Sequence, residues 1–382
     1  MRVLIAGVVP AHLMPMAPLA WALRAAGHEV LVSGSAGFVA RAGLAGLSGV
    51  AVPDPPPHRP AAASADPAAG RAAHLMGWDA MAERWRHRVG AVVGRHLAVA
   101  RDWRPDLILC DPIEFSGLIV GGVLGVPVVV HRWGADRVSS RSLPLAATAL
   151  ADIAERHGAR DGIPAPALVL DPCPPTLQCP DADPAQPIRF VPFNGSGAVP
   201  DWALRPAPRR RVVVSFGAET SMLADPVLWD RFMLALTTID GIEPVITSKP
   251  PPGAAVPPGV RAEGPVPITL LLDDAAALIH HGGSGTCLTA VHHGVPQLVL
   301  AHPNPSYAAH GERVAACGAG RELDLDGEHR EPEVIADVLR QVITDPGYRT
   351  ATERLRDEMH RQPDPVRTVR TLAELAGAPV TG

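Results

Sequence analysis

Two doubly wound α/β domains are what this sequence predicts, on three observations. Its 382 residues exceed what a single hydrophobic core usually organises. Short, continuously apolar runs such as Val3 to Val8 and Val212 to Phe216 have the character of parallel strands buried on both faces. Helix-length segments separate such runs, and the rhythm starts afresh after a Pro-rich stretch that ends in Arg209-Arg210-Arg211.

Val3 to Val8 is the first strand. Pro15 to Ala26 follows as a helix with Pro in its first turn and Gly27 at its end, and His28 to Ser33 is the second strand. Pro53 to Gly70, dense in Pro, Ala and Asp, has no usable period and reads as a long mobile loop. Arg71 to Trp103 is helical, with Leu75, Trp78, Trp85, Val89, Val92 and Val93 at helical spacing as a core stripe. Leu107 to Cys110, Glu114 to Leu124 and Pro127 to His131 continue as strand, helix and strand, and Pro-rich sequence then runs from Ala165 to Pro208. The domain boundary is expected near residues 198–208, giving an N-terminal domain over 1–200 and a C-terminal one over 201–362. In the second half, Glu243 to Thr247, Ala277 to His280 and Gln297 to Leu300 are strands. Pro226 to Thr237, Gly285 to His293 and Glu312 to Cys317 are helices. The stretch Glu331 to Leu375 is mostly helical with a break at Pro363 and Pro365, and residues 363–382 are expected to pack back on the first domain.

Composition excludes several functions. A formal net charge of −5 gives no basic footprint for nucleic acid. Lys249 is the only lysine, and with 42 Pro and 36 Gly this bias points to a GC-rich genome. Five cysteines without a CxxC pair predict neither a disulfide framework nor a structural zinc site, and a reduced cytoplasm is the expected location. The apolar start is interrupted by Pro10 and His12, and the run Gly117 to Val130 is too short for a bilayer, so no membrane insertion is expected.

The strongest motif is His280-His281-Gly282-Gly283-Ser284-Gly285-Thr286, between the strand Ala277 to Ile279 and a helix. Its glycines let backbone approach a ligand, and Ser284, Gly285 and Thr286 fall where a helix N-terminus presents free N–H groups to an anion. The same letters imitate an esterase oxyanion loop, but the chain holds no G-x-S-x-G elbow to go with it. Its histidines match no zinc spacing, and no metal site is expected. The first βα turn lacks G-x-G-x-x-G, which argues against a dinucleotide cofactor. It does contain His12, and Asp111 follows the strand Leu107 to Cys110. A His steadied by a carboxylate suits removal of a proton from a hydroxyl. A loop His and a helix-capping Asp would read the same way in sequence.

These residues resemble the GT1-type, GT-B-fold glycosyltransferases of bacterial natural-product pathways, nearly end to end. The resemblance rests on His12-Leu13-Met14-Pro15, Pro18-Leu19-Ala20, Gly27-His28-Glu29-Val30 and Pro105 to Asp111. Further on it rests on Val266-Pro267, Leu270-Leu271-Leu272, His280 to Thr286 and Gly294-Val295-Pro296-Gln297. It implies two Rossmann-like domains facing a central cleft, with the donor on the C-terminal domain and the acceptor on the N-terminal one. It also implies inversion by direct displacement without a metal. His12 would be the general base and Asp111 its partner. His281, Gly283, Ser284, Gly285 and Thr286 would bind the donor diphosphate, Val266 would meet the base through its backbone, and Ser215 and Gly217 would line the donor site. No cofactor is implied beyond the nucleotide sugar itself, and of macromolecular partners only a homodimer is left open.

Two adjacent positions depart from that family, whose members usually carry Asp-Gln for sugar hydroxyls where Ser306 and Tyr307 stand here. With carboxylate and amide gone, a dTDP- or UDP-linked 6-deoxy or 2,6-dideoxy sugar is the expected donor. The alternatives are a C-glycosyltransferase of the same fold and a non-catalytic activator or binding protein. For a hydrophobic acceptor the candidates are Met76, Trp78, Met81, Phe115 and Trp133, with Met14 and Met16 adding adaptable surface and the Pro53–Gly70 loop as a lid.

Overall fold

The computed structural model describes residues 1–54, 77–217, 226–264, 266–300, 305–324 and 331–378. The chain divides into two compact units. Residues 1–172, 180–189 and 362 onward form the first, and 173–179 with 190–361 form the second, so the chain passes between units four times.

The first unit is built on seven parallel strands in the order β3-β2-β1-β4-β5-β6-β7. They are β1 (Arg2–Gly7), β2 (Glu29–Gly34), β3 (Gly49–Ala51), β4 (Leu107–Cys110), β5 (Val128–His131), β6 (Leu168–Asp171) and β7 (Gln186–Pro187). The runs of Val, Leu and Ile in β1, β4 and β5 are buried on both faces because helices cover both sides. Those helices are α1 (Ala17–Ala25), α2 (Ala36–Leu44), α3 (Trp78–Trp103), α4 (Phe115–Leu124), α5 (Ser139–Ala149) and α6 (Ala151–His157). Within α3, Trp85, Val89, Val93, Leu97 and Ala100 fall on one face and fill the main core with Leu4, Ile108 and Phe115. Sequence reading places no strand in the Pro-rich stretch, yet β6 and β7 lie inside it. They are short and only half buried, so periodicity gave them little signal.

In the second unit six parallel strands run in the order β10-β9-β8-β11-β12-β13. They are β8 (Arg210–Ser215), β9 (Ile242–Ile246), β10 (Arg261–Ala262), β11 (Ala275–His280), β12 (Gln297–Leu300) and β13 (Gly320–Leu323). Their helices are α7 (Pro226–Thr237), α8 (Ser284–His293), α9 (Pro305–Ala316), α10 (Pro332–Thr344) and α11 (Pro346–Arg361). Helix α9 begins seven residues before the Glu312 start that sequence predicts. Pro305 opens it, because proline is well accommodated in a first turn, where its missing N–H would have no intrahelical partner. The last helix, α12 (Pro365–Leu375), returns to the first unit and packs on α1. Asp364 caps it by accepting from the Arg367 N–H at 2.8 Å, and Val369, Leu372 and Ala373 are its buried face.

Both sheets therefore share one layout. The chain starts at an interior strand, builds outward to one edge, then returns to the other side. In the first unit the direction of build-up reverses between β1 and β4, and in the second between β8 and β11. Loops leaving the carboxyl ends of such a strand pair diverge, and the crevice between them is where open α/β sheets bind ligands.

Candidate active-site elements

In the first unit, β1 leads into a single 3-10 turn, Pro10–Leu13, which carries His12, and β4 leads directly to Asp111. Ala6 and Cys110 are register partners, so two residues 99 apart in sequence emerge side by side. Nδ1 of His12 lies 3.0 Å from Oδ2 of Asp111, and the other carboxylate oxygen accepts from the Ile113 N–H at 2.9 Å. Burial alone pushes the Asp111 carboxyl up. His12, the Arg88 guanidinium and the Ile113 N–H outweigh that and hold it below the usual carboxylate value. Asp111 is 3% exposed and His12 20%. With Nδ1 engaged, Nε2 is the nitrogen left to meet a substrate proton.

Trp133, which follows β5, lies against the His12 ring, with centroids 4.6 Å apart and planes at 32°. Of the other acceptor candidates, Phe115 is fully buried in the core, edge-on to Trp85 at 5.0 Å. Trp78 and Met81 are half-buried against the same core. Met16 is fully buried, so it adds no surface for a ligand. Met76 and residues 55–70 of the expected loop lie outside the described residues.

The second unit places Ser215 and His280 as register partners at the ends of β8 and β11. Phe216 and Gly217 therefore run alongside His281 and Gly282. Backbone closeness, more than side-chain chemistry, shapes this loop. A side chain at Gly217 (φ +70°) would come within 3.0 Å of the His281 ring, and one at Gly283 within 2.7 Å. Gly282, at φ +86°, could not carry a Cβ without coming within 2.5 Å of the Tyr307 carbonyl oxygen. The ring of Tyr307 meets His281 edge-on at 5.1 Å. Helix α8 then starts at Ser284 with no side-chain cap, which leaves the first-turn N–H groups of Ser284, Gly285 and Thr286 to an external acceptor. Beside Gly285 there is open space. The Ser306 side chain is outside the described residues, whereas Tyr307 sits at this loop. Val266 turns its side chain into the core with Val213 and Val245, leaving only its backbone for a ligand.

Three supports escaped sequence reading. His280 accepts from the Gly282 N–H at 3.1 Å and donates through Nε2 to Gln297 Oε1 at 2.8 Å, so its tautomer is set. Burial, with the neighbouring His281 and His310, lowers its pKa to about 3. It is a neutral brace for the turn. Asn194 donates to Thr289 Oγ1 and accepts from the Thr269 N–H, tying α8 to the turn at Ile268–Leu270. On the other unit, Arg88 reaches the Ile113 carbonyl beside Asp111. Gln297 lies in a stretch the resemblance singles out, but nothing in sequence announces its partner. Among the described residues no group of three or more His, Cys, Asp or Glu is disposed to hold a metal, and no helix is long and apolar enough to cross a membrane. All five cysteines are thiols.

One switch point offers a proton acceptor and the other a cradle for an anion, a division of labour suited to group transfer from a diphosphate. Two doubly wound domains equipped this way define a glycosyltransferase of the GT-B class. Residues 21–217 match the N-terminal domain, and residues 231–375 the C-terminal domain, of the erythromycin biosynthesis protein CIII-like family. The chain is 32% identical to the erythronolide mycarosyltransferase of Saccharopolyspora erythraea, over 95% of this chain and 96% of that one. To the L-demethylnoviosyl transferase of Streptomyces niveus it is 35% identical, over 95% and 94%. Among solved structures, the spinosyn rhamnosyltransferase SpnG complexed with thymidine diphosphate is 36% identical with a TM-score of 0.82, over 97% of this chain and 100% of that one. SnogD of Streptomyces nogalater is 30% identical with a TM-score of 0.81, over 99% of both chains. The chain belongs to the CIII-like family, as a GT1-type glycosyltransferase of antibiotic biosynthesis.

Proposed function

We propose that this enzyme transfers a 6-deoxy or 2,6-dideoxy sugar from its dTDP conjugate to a hydroxyl of an apolar natural-product aglycone, with inversion and without a metal. The observation that carries the reading is the His12–Asp111 dyad. Nε2 of His12 removes the acceptor proton as its oxygen bonds to the anomeric carbon from the face opposite the diphosphate. The carbon–oxygen bond to the phosphate breaks, its electron pair leaves with the diphosphate, and the resulting imidazolium is balanced by Asp111. A single displacement of this kind inverts the anomeric centre. At the other end, the N–H groups opening α8, the Thr286 hydroxyl and His281 receive the developing diphosphate charge, the part a metal plays elsewhere. Ser215, Gly217 and the backbone of Val266 complete the donor site.

The thymidine base is supported by the solved relatives that carry thymidine diphosphate. The deoxysugar is supported by Ser306 and Tyr307, which replace a carboxylate and an amide. Trp133, Trp78 and Met81 are the candidate acceptor contacts in the described residues. The five thiols fit a cytoplasmic enzyme. The test is transfer from dTDP-rhamnose and dTDP-glucose to a panel of macrolide and anthracycline aglycones in EDTA, with the anomeric configuration of the product read by NMR. Turnover favouring the deoxysugar, with inversion and an O-glycosidic product, is expected. Retention, loss of activity in EDTA or a C-glycoside would overturn the corresponding part.

A further inference from the structure

Arg132, the residue before Trp133, anchors a buried ionic cluster that neither proton transfer nor donor binding uses. Arg132, 2% exposed, is held by Asp171 Oδ2 at 3.0 Å from Nη1 and by Asp136 Oδ2 at 3.3 Å from Nε. Its Nε also donates to Ser139 Oγ at 3.2 Å, and the Ser139 hydroxyl in turn donates to Asp136. The second oxygen of Asp136 accepts from the N–H groups of Val138 at 2.7 Å and Ser139 at 2.8 Å, closing the entry to α5. On the strand side the Arg132 N–H donates to the Leu170 carbonyl at 2.9 Å, and the Arg132 carbonyl meets His131 Nδ1 at 2.6 Å. Residues 132–139 are thus pinned at both ends and through their middle.

One guanidinium and two carboxylates in a buried corner are a costly way to hold a loop, since apolar residues of equal volume often give equal or greater stability. What an ionic cluster adds is a single geometry. Within residues 132–139 the aromatic residue is Trp133, whose ring lies on His12 while Asp111 holds one edge of the imidazole. Together they leave the imidazole little freedom to turn, and so set where Nε2 points.

We infer that Arg132 is a positioning residue for transfer: through Asp136 and Asp171 it fixes the corner that holds Trp133 against His12. The inference rests on His12 being the general base. Its test is a cycle of Arg132→Lys, His12→Ala and the double variant, reading kcat, donor KM and the Kd for dTDP, with circular dichroism to check folding. Arg132→Lys keeps the charge but loses the planar fork that spans two carboxylates. It is expected to lower kcat by roughly 10- to 100-fold, the scale of a misplacement near 1 Å, with dTDP affinity unchanged within about two-fold. In the His12→Ala background the same substitution is expected to change kcat by less than about two-fold, because the group it positions is gone. A merely structural role would cost the same in both backgrounds, and that additivity, or an unchanged kcat in Arg132→Lys alone, would overturn the inference. Wild-type turnover in His12→Ala would instead sink the base assignment. Should Arg132→Lys not fold, Asp171→Asn removes one of the two carboxylate charges at constant size and takes its place in the cycle. Additivity with His12→Ala, or an unchanged kcat in Asp171→Asn alone, would then overturn the inference in the same way.

Discussion

The two switch points of this enzyme do opposite things with the same topology. Between β1 and β4 the loops bring two side chains together, and the proposed proton transfer rests on one hydrogen bond between residues far apart in sequence. Between β8 and β11 the loops bring backbone together, and the working surface is defined by side chains that are missing. A proton is taken by one atom whose partner sets its tautomer and charge, whereas a diphosphate spreads its charge over many oxygens and is best met by several N–H groups. The fold supplies the place in both cases, and what stands there suits one to proton removal and the other to holding an anion. The first site should therefore fail when a side chain is removed, and the second when one is added.

The largest break in that contrast comes from His12→Ala. It should lower kcat by roughly 100- to 10,000-fold while dTDP affinity in calorimetry stays near wild type. Asp111→Asn keeps shape but loses the charge that balances the imidazolium, and should fall in the same direction by a smaller factor. A drop in dTDP affinity matching the drop in kcat would show that the dyad serves binding, and the contrast would collapse.

Adding a single methyl group should separate two functions within the cradle. Gly282→Ala forces a side chain into a left-handed residue and against the Tyr307 carbonyl, so it should destabilise the protein by about 1–3 kcal/mol in thermal unfolding and weaken dTDP as well. Gly285→Ala meets open space and should leave stability within about 0.5 kcal/mol. Because that space is where the anion is proposed to sit, its affinity for dTDP should fall about ten-fold, or 1.4 kcal/mol. Wild-type affinity in Gly285→Ala would move the diphosphate elsewhere.

The same contrast explains what sequence made legible. The cradle is contiguous, so strand, glycines and helix start are read together from Ala277 to Val291, and the structure adds its bracing by Gln297, Asn194 and Tyr307. His12 in the loop after the first strand and Asp111 at the end of the strand Leu107 to Cys110 are each recognisable in sequence, but their pairing depends on β1 and β4 being neighbours, which is a property of strand order. Trp133 was singled out for its apolar bulk, while its place on the His12 ring comes from a corner held by Asp171 across the sheet. Strands β6 and β7 were hidden because prolines bracket short, half-buried runs in which period two has no room to show. Residues that act through sequence neighbours can be read off, and those that act through sheet neighbours need the register.

The finest distinction between the two units appears only in acid, because it rests on buried imidazoles that are neutral at pH 7. Burial lowers His96 and His131 in the first unit to about 4, and His280 in the second to about 3, from 6.5. Below pH 6.5 the unfolded chain takes up protons at these positions and the folded chain does not. Stability should therefore fall as pH drops, by up to about 1.4 kcal/mol per pH unit for each group, until its folded value is reached. Asp111 adds to the loss only below the ordinary Asp value of 3.8, since its folded value lies lower still. Glu114 opposes it: burial raises its carboxyl above 4.5, so the folded chain gains that proton first and recovers some stability as pH falls through the raised value. With two of the three imidazoles, the first unit should lose amide hydrogen-exchange protection before the second between pH 6.5 and 5. His131→Asn should flatten its response and leave the second unit unchanged. Equal loss of protection in both units, or stability independent of pH over that range, would mean that these histidines are charged in the folded protein, and the neutral brace at His280 would go with them.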